Sequence, residues 1–191
     1  DASFLHLQPM LSVITNVDQD HMATYDNNYQ QLKDTFVSFT SNLPFYGACI
    51  LCSDDQGVRD IISDIHRPMI SYGFNSDAAI RAINVKQVGM QMHFDVVHTR
   101  DNSKYSNPYP IKLNLIGKHN ILNTLAAIGV CCELNIDINI IQSALNHFSG
   151  VARRLDHHGQ LSIQGHSIDF FDDYGHHPVE ISAIFDSLKN T

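Results

Sequence analysis

The chain has 191 residues, 43% of them apolar and 17% charged, a globular composition able to bury the core of one large domain or one and a half ordinary ones. Its formal net charge of −8 excludes a global attraction to nucleic acid or anionic membrane, so an anionic ligand would need local cations and helix N-termini. No run approaches the roughly 18 apolar residues of a membrane helix, and Asp1-Ala2-Ser3-Phe4-Leu5-His6-Leu7 lacks the basic start of a signal peptide, so no membrane insertion and a cytoplasmic setting are expected.

Residues 11–17 (LSVITNV) read as a buried strand rich in β-branched side chains, followed by the polar loop Asp18-Gln19-Asp20-His21-Met22. Between 27 and 43, Tyr29, Leu32, Phe36, Phe39 and Leu43 recur at spacings of 3, 4, 3 and 4, the stripe of an amphipathic helix that Pro44 ends. A strand at 48–52, a short helix near 58–65 and a strand near 69–72 follow. This rhythm predicts an α/β fold with a mostly parallel sheet and helical crossovers. Cys49 and Cys52 have the spacing of half a zinc site, but residues three apart on a strand face opposite ways and no second Cys-x-x-Cys exists. Buried, reduced thiols are expected, as in a reducing cytosol.

The pattern then changes. Segments 80–88, 90–98 and 109–115 are strand candidates without intervening helices, separated by Gly89 and by the polar stretch 99–107, and predict an antiparallel extension of the sheet. Helices are expected at about 119–134 and 137–147, the second capped by Asp137. Ser149-Gly150 is the best boundary between a first unit, 1–150, and a second, 151–191. The second holds strands at 160–164 and 166–172 joined at Gly165, then a helix from Pro178 to Lys189. One strand pair and one helix are too little for a domain, and the chain begins without methionine in a partly apolar segment. A piece of a longer protein is expected.

The densest chemistry is Asp172-Asp173-Tyr174-Gly175-His176-His177-Pro178, at the C-terminal end of a strand, where open α/β sheets hold ligands. Its carboxylates suit ribose hydroxyls or magnesium, and its imidazoles an anionic group; an Asx-turn before a Pro-started helix explains Asp173 and Pro178 but not the residues between. Asn120 and Asn123 are neighbours on one helix face, and a carboxamide matches the donor–acceptor edge of adenine, although helix capping and solvent exposure would also account for them. The adjacent Arg153-Arg154 suits phosphate oxygens or is a solvated basic pair. His21, after Asp20 at a strand end, is a candidate metal ligand or a surface histidine, whereas His157-His158 lacks the partners for zinc. Neither a Gly-x-x-x-x-Gly-Lys-Ser/Thr loop nor Gly-x-Gly-x-x-Gly occurs.

Five segments in order carry a resemblance across essentially the whole chain. They are Thr15-Asn16-Val17-Asp18-Gln19-Asp20-His21-Met22-Ala23-Thr24-Tyr25, Asn42-Leu43-Pro44-Phe45-Tyr46-Gly47, Gly117-Lys118-His119-Asn120-Ile121-Leu122-Asn123, Ala152-Arg153-Arg154-Leu155-Asp156 and Asp172-Asp173-Tyr174-Gly175-His176-His177-Pro178. Together they resemble the Mur ligases of peptidoglycan synthesis. The resemblance implies that 1–150 is the later part of a central ATP-binding domain and 151–191 the start of a Rossmann-like C-terminal domain. The phosphate loop and the UDP-binding domain would lie upstream. It implies an ATP- and Mg2+-dependent amide-forming enzyme in which His21 binds magnesium, Asn120 and Asn123 face adenine, Arg154 contacts phosphate, Asp173 holds ribose and His176 lies toward the acid or the amine. Asp20-His21-Met22-Ala23-Thr24-Tyr25 and Leu43-Pro44-Phe45-Tyr46-Gly47 favour members that join L-alanine to UDP-N-acetylmuramate over those that recycle whole peptides. A non-catalytic nucleotide- or metal-binding module is the rival of another class.

Overall fold

A computed structural model describes residues 2–99 and 108–189; from residue 100 onward the polar stretch expected at 99–107 lies outside them. Strand β1 (Leu11–Ile14) leads through the 18–28 loop into helix α1 (Tyr29–Ser41). The Asn28 side chain caps α1 by accepting from the Gln30 and Gln31 N–H groups at 3.0 and 3.3 Å. The chain continues through β2 (Ala48–Cys52), α2 (Gln56–Ile62) and β3 (Met69–Gly73). β1, β2 and β3 pair in parallel, so the helices between them act as crossovers, as expected.

β4 (Ile80–Val88), β5 (Gln91–His98) and β6 (Tyr109–Leu113) complete a six-stranded sheet in the order β1-β2-β3-β4-β5-β6. The β4–β5 and β5–β6 pairs are the expected antiparallel extension, with Gly89 turning the first hairpin at φ +57°. The β3–β4 pair is parallel yet has no helix between its strands. It overlaps only at Tyr72↔Ile80 and Gly73↔Arg81, so a bend over residues 74–79 suffices. The Asp54 carboxylate holds that bend, accepting from the Phe74 and Asn75 N–H groups at 2.7 and 3.2 Å.

Helix α3 (Lys118–Glu133) covers one face of the sheet with α4 (Ile138–His147) beside it, while α1 and α2 cover the other. Strand β2 is buried on both faces and divides the core. Ile50 and Cys52 pack in the cluster with Ile121, Leu125 and Ile128 of α3; Cys49 and Leu51 pack in the one with Leu32 of α1 and Val58 and Ile61 of α2. The two thiols therefore point to opposite faces, and both are free and buried. At Gly129 a side chain would meet Ile50 Cγ2 at 3.0 Å, so the missing methyl lets α3 sit close to the sheet.

Beyond Gly150, β7 (Asp156–Ile163) and β8 (His166–Asp172) form a separate antiparallel hairpin turned by Gln164-Gly165, both at positive φ, and α5 (Pro178–Leu188) follows.

Candidate functional site

Because β1, β2 and β3 run parallel, their C-terminal ends share one edge and present residues 17–21, 53–55 and 74–77 there. His21 lies on this edge at φ +52°, its side chain 74% exposed and its Nε2 3.6 Å from Asp20 Oδ2. The loop is shaped by its own turns: the Asp20 N–H donates to Asp18 O at 2.8 Å, and the His21 N–H to Asp20 Oδ1 at 2.7 Å. Its flanks, Val17 and Tyr25, are buried.

A second set of groups gathers where the N-terminus of α3 meets the 153–177 segment. Gly117 precedes α3 at φ +97° and ψ 143°, a conformation that essentially only glycine adopts. A side chain there would collide with Ser187 Oγ of α5 and with His119 Cε1, so the glycine is what lets α5 dock against the α3 N-terminus. Gln87 Nε2 of β4 also donates to Ser187 O at 3.3 Å. Between β4, β5, the α3 N-terminus and α5 lies a cleft of about 700 Å³, lined by Lys86, Lys118 and His119 with Val85 and Met92 as apolar wall.

Asn120 is half-buried, and its Nδ2 donates to Ile116 O at 2.8 Å, which leaves its side-chain oxygen as acceptor; Asn123, on the same helix, is exposed. Neither lines the 700 Å³ cleft; that wall is built by Gly117, Lys118 and His119. His119 in this wall is half-buried. Burial holds its imidazole below the ordinary range, with Asp173 opposing the shift and Arg154 adding to it, so both groups lie within electrostatic reach of the α3 N-terminus.

The Asp173 carboxylate organises the second segment. Its Oδ2 accepts from the Leu155 N–H at 2.7 Å and its Oδ1 from the Gly175 N–H at 2.6 Å. The Tyr174 N–H donates to Arg153 O at 2.8 Å, so the Arg153-Arg154 stretch and the residues after β8 are stitched side by side. Arg153, at φ +61°, pairs with Asp172 at 3.5 Å and lies over the Tyr174 ring; Arg154 pairs loosely with Glu180 at 3.9 Å. His176 is exposed, with Nδ1 3.1 Å from Tyr174 O and its N–H donating to Glu180 at 3.4 Å. His157 instead faces Asp169 across the hairpin at 2.9 Å, on the surface.

Sequence reasoning missed His119, which lies within electrostatic reach of Asp173 and Arg154, although it stands inside the Gly117–Asn123 motif; its half-buried position was the missing information. Lys86, Gln87 and Ser187 reach the cleft through tertiary docking, and no local signal marks them.

As a metal site the edge near His21 is sparse. Among the described residues no three His, Cys, Asp or Glu side chains converge on one point. Magnesium, however, takes oxygen ligands, keeps several waters and is held by one or two carboxylates plus substrate phosphates. Asp20, with His21 beside it, fits that partial role and no fuller one.

Residues 2–131 match the family Mur ligase middle domain. Over all 191 residues the chain is 71% identical to a UDP-N-acetylmuramate–L-alanine ligase of Vesicomyosocius okutanii, and it spans 40% of the length of that relative. In fold it is similar to a UDP-N-acetylmuramate-alanine ligase from Thermotoga maritima, with a TM-score of 0.79 at 23% identity, over 100% of this chain and 40% of that one. It is also similar to a MurF ligase from the same organism in complex with ADP, with a TM-score of 0.76 at 14% identity, over 95% of this chain and 39% of that one. A parallel sheet with an antiparallel extension, the segment order of the sequence and a family match over 2–131 agree: the chain belongs to the Mur ligase family.

Proposed function

We propose that this chain is the nucleotide-facing part of a cytoplasmic, ATP- and Mg2+-dependent ligase that joins L-alanine to UDP-N-acetylmuramate. The observation that carries the reading is 71% identity along the entire chain to a relative of that name. In the proposed reaction ATP phosphorylates the lactoyl carboxylate, and the alanine amine attacks the acyl phosphate through a tetrahedral intermediate with loss of phosphate. Catalysis of this kind rests on placing the groups and neutralising negative charge as it develops.

Residues 1–150 would form the later part of the ATP-binding domain and 151–191 the start of the C-terminal one. Asn120 Oδ1 and the open carboxamide of Asn123 would read adenine. The Asp173 oxygens, each already holding one backbone N–H, keep lone pairs for a ribose hydroxyl. Arg154, only loosely held by Glu180, is free to exchange that partner for phosphate. His176, exposed beyond the Asp173 turn, would face the acid or the amine. Asp20 and His21 would take one or two positions around Mg2+, which supplies charge neutralisation when bound.

The test is phosphate release by the protein carrying this chain, with ATP, Mg2+ and UDP-N-acetylmuramate, comparing L-alanine with the tripeptide. Preference for L-alanine is expected. Preference for tripeptide would assign the chain to the recycling ligases, and no amine-dependent release would end the ligase reading.

A further inference from the structure

Val17 is the last buried residue before the exposed stretch 18–21, and two side chains, one from the N-cap of α2 and one from α1, bond its peptide groups. Its N–H donates to Asp55 Oδ1 at 3.1 Å, and the same oxygen accepts the Val58 N–H at 2.8 Å as the N-cap of α2. Its carbonyl accepts from the Tyr29 hydroxyl of α1 at 2.7 Å. Gly57 is the second residue of α2 and is buried, although glycine is a poor helix former. The packing explains it, because a methyl at 57 would run into the Val17 carbonyl and meet the Tyr29 hydroxyl at 2.6 Å. The phenol is itself held in place: Lys33 Nζ lies 4.5 Å from the Tyr29 ring centre and bonds Asp60 of α2 at 2.6 Å.

We infer that Asp55 and Tyr29 are positioning residues that clamp both sides of Val17, with Gly57 leaving room for the clamp, and so fix the 18–22 loop and His21. Downstream of Val17 the loop bonds only to its own residues and to the turn at 24–27 that leads into α1, with the Thr24 N–H donating to His21 O and the Asn27 N–H to Met22 O, each at 2.9 Å, so its fastening to the sheet and to α2 is at Val17. Anchoring a loop on rigid elements is what holds a reacting geometry to a fraction of an ångström. The consequence for catalysis rests on the ligase reading above; the consequence for the loop does not.

Two readouts test this on the full protein. The first is amide hydrogen exchange at 18–22. Tyr29→Phe keeps the ring and removes one bond, so exchange there rises about tenfold, the scale of one net hydrogen bond. Asp55→Asn keeps an oxygen for both N–H groups and stays close to the parent, whereas Asp55→Ala loosens the loop. Unchanged exchange in Tyr29→Phe, or Asp55→Asn as loose as Asp55→Ala, overturns the clamp. The second readout is turnover. Tyr29→Phe raises the Mg2+ concentration needed for half-maximal rate with KM for L-alanine unchanged, and a loosened loop with an unaltered Mg2+ requirement contradicts the positioning role. If the parent protein shows no alanine-dependent turnover, the ligase reading fails, and the exchange comparison still decides the clamp.

Discussion

Replacing Gly117 by alanine probes the contact that brings α5 against the N-terminus of α3. Two costs add. At φ +97° and ψ 143° the backbone is in a region open essentially only to glycine, and holding alanine there costs about 1–3 kcal/mol. The new methyl also collides with Ser187 Oγ and approaches His119 Cε1 at 2.6 Å, and overpacking of this kind costs about 1–3 kcal/mol. Gly117→Ala should therefore lose about 2–6 kcal/mol. Ser187→Ala alone should be nearly neutral, since its hydroxyl bonds only Ala183 O one turn back, a bond of little net value in a helix. Combined with Gly117→Ala it should recover about 1–2 kcal/mol by relieving the collision and leaving the dihedral cost, a coupling expected of residues in contact. Urea unfolding of the four proteins supplies the cycle. A loss below about 1 kcal/mol for Gly117→Ala, or strict additivity in the double variant, would refute the packing described here.

Ile128→Ala, at a side chain with 0% exposure between α3 and the sheet, should cost about 2–5 kcal/mol in the same assay. Burial holds the His98 imidazole down to about 4, so the unfolded chain, titrating near 6.5, binds the extra proton. Stability from this group is therefore complete above about pH 6.5 and declines as pH falls toward 4; His119 acts in the same direction, and His98→Gln should flatten the midpoint-versus-pH curve between pH 6.5 and 5. Burial raises the Cys49, Cys52 and Cys131 thiols alike, so access decides, and a thiol reagent should label the half-exposed Cys131 and Cys132 first and reach the β2 pair only on unfolding. Asp173→Ala, which removes the acceptor of the Leu155 and Gly175 N–H groups, should speed exchange at both amides and weaken nucleotide binding, whereas a purely structural role would leave nucleotide affinity in place.

The elements that could be read from the chain are those with a clean period. The 3–4 spacing from Tyr29 to Leu43 became α1, and the alternation of β2 placed Cys49 and Cys52 in different core clusters. Failures fall where a tertiary contact decides. Helix α2 starts at Gln56, ahead of the expected position, because Gly57, which reads as a breaker, is required by the closeness of Val17. β7 begins at Asp156 rather than 160, because pairing with Asp172 and a bulge at 157–159 extend it through polar histidines that carry no strand signal. β1 stops at Ile14, and Val17 is buried by side-chain bonds rather than by the ladder. In the candidate site the motif residues were visible as chemistry, but the docking of α5 against Gly117 and the electrostatic reach of His119 to Asp173 and Arg154 came only from the tertiary fold.

The proposed function requires one nucleotide to engage both the α3 N-terminus and the segment organised by Asp173. Amide hydrogen exchange with and without Mg2+ and ATP tests it most directly. Residues 117–123 and 153–176 should gain protection together at one ATP concentration, and both should lose it in Asn120→Ala and in Asp173→Ala. Protection confined to one segment, or survival of both in either variant, would contradict it.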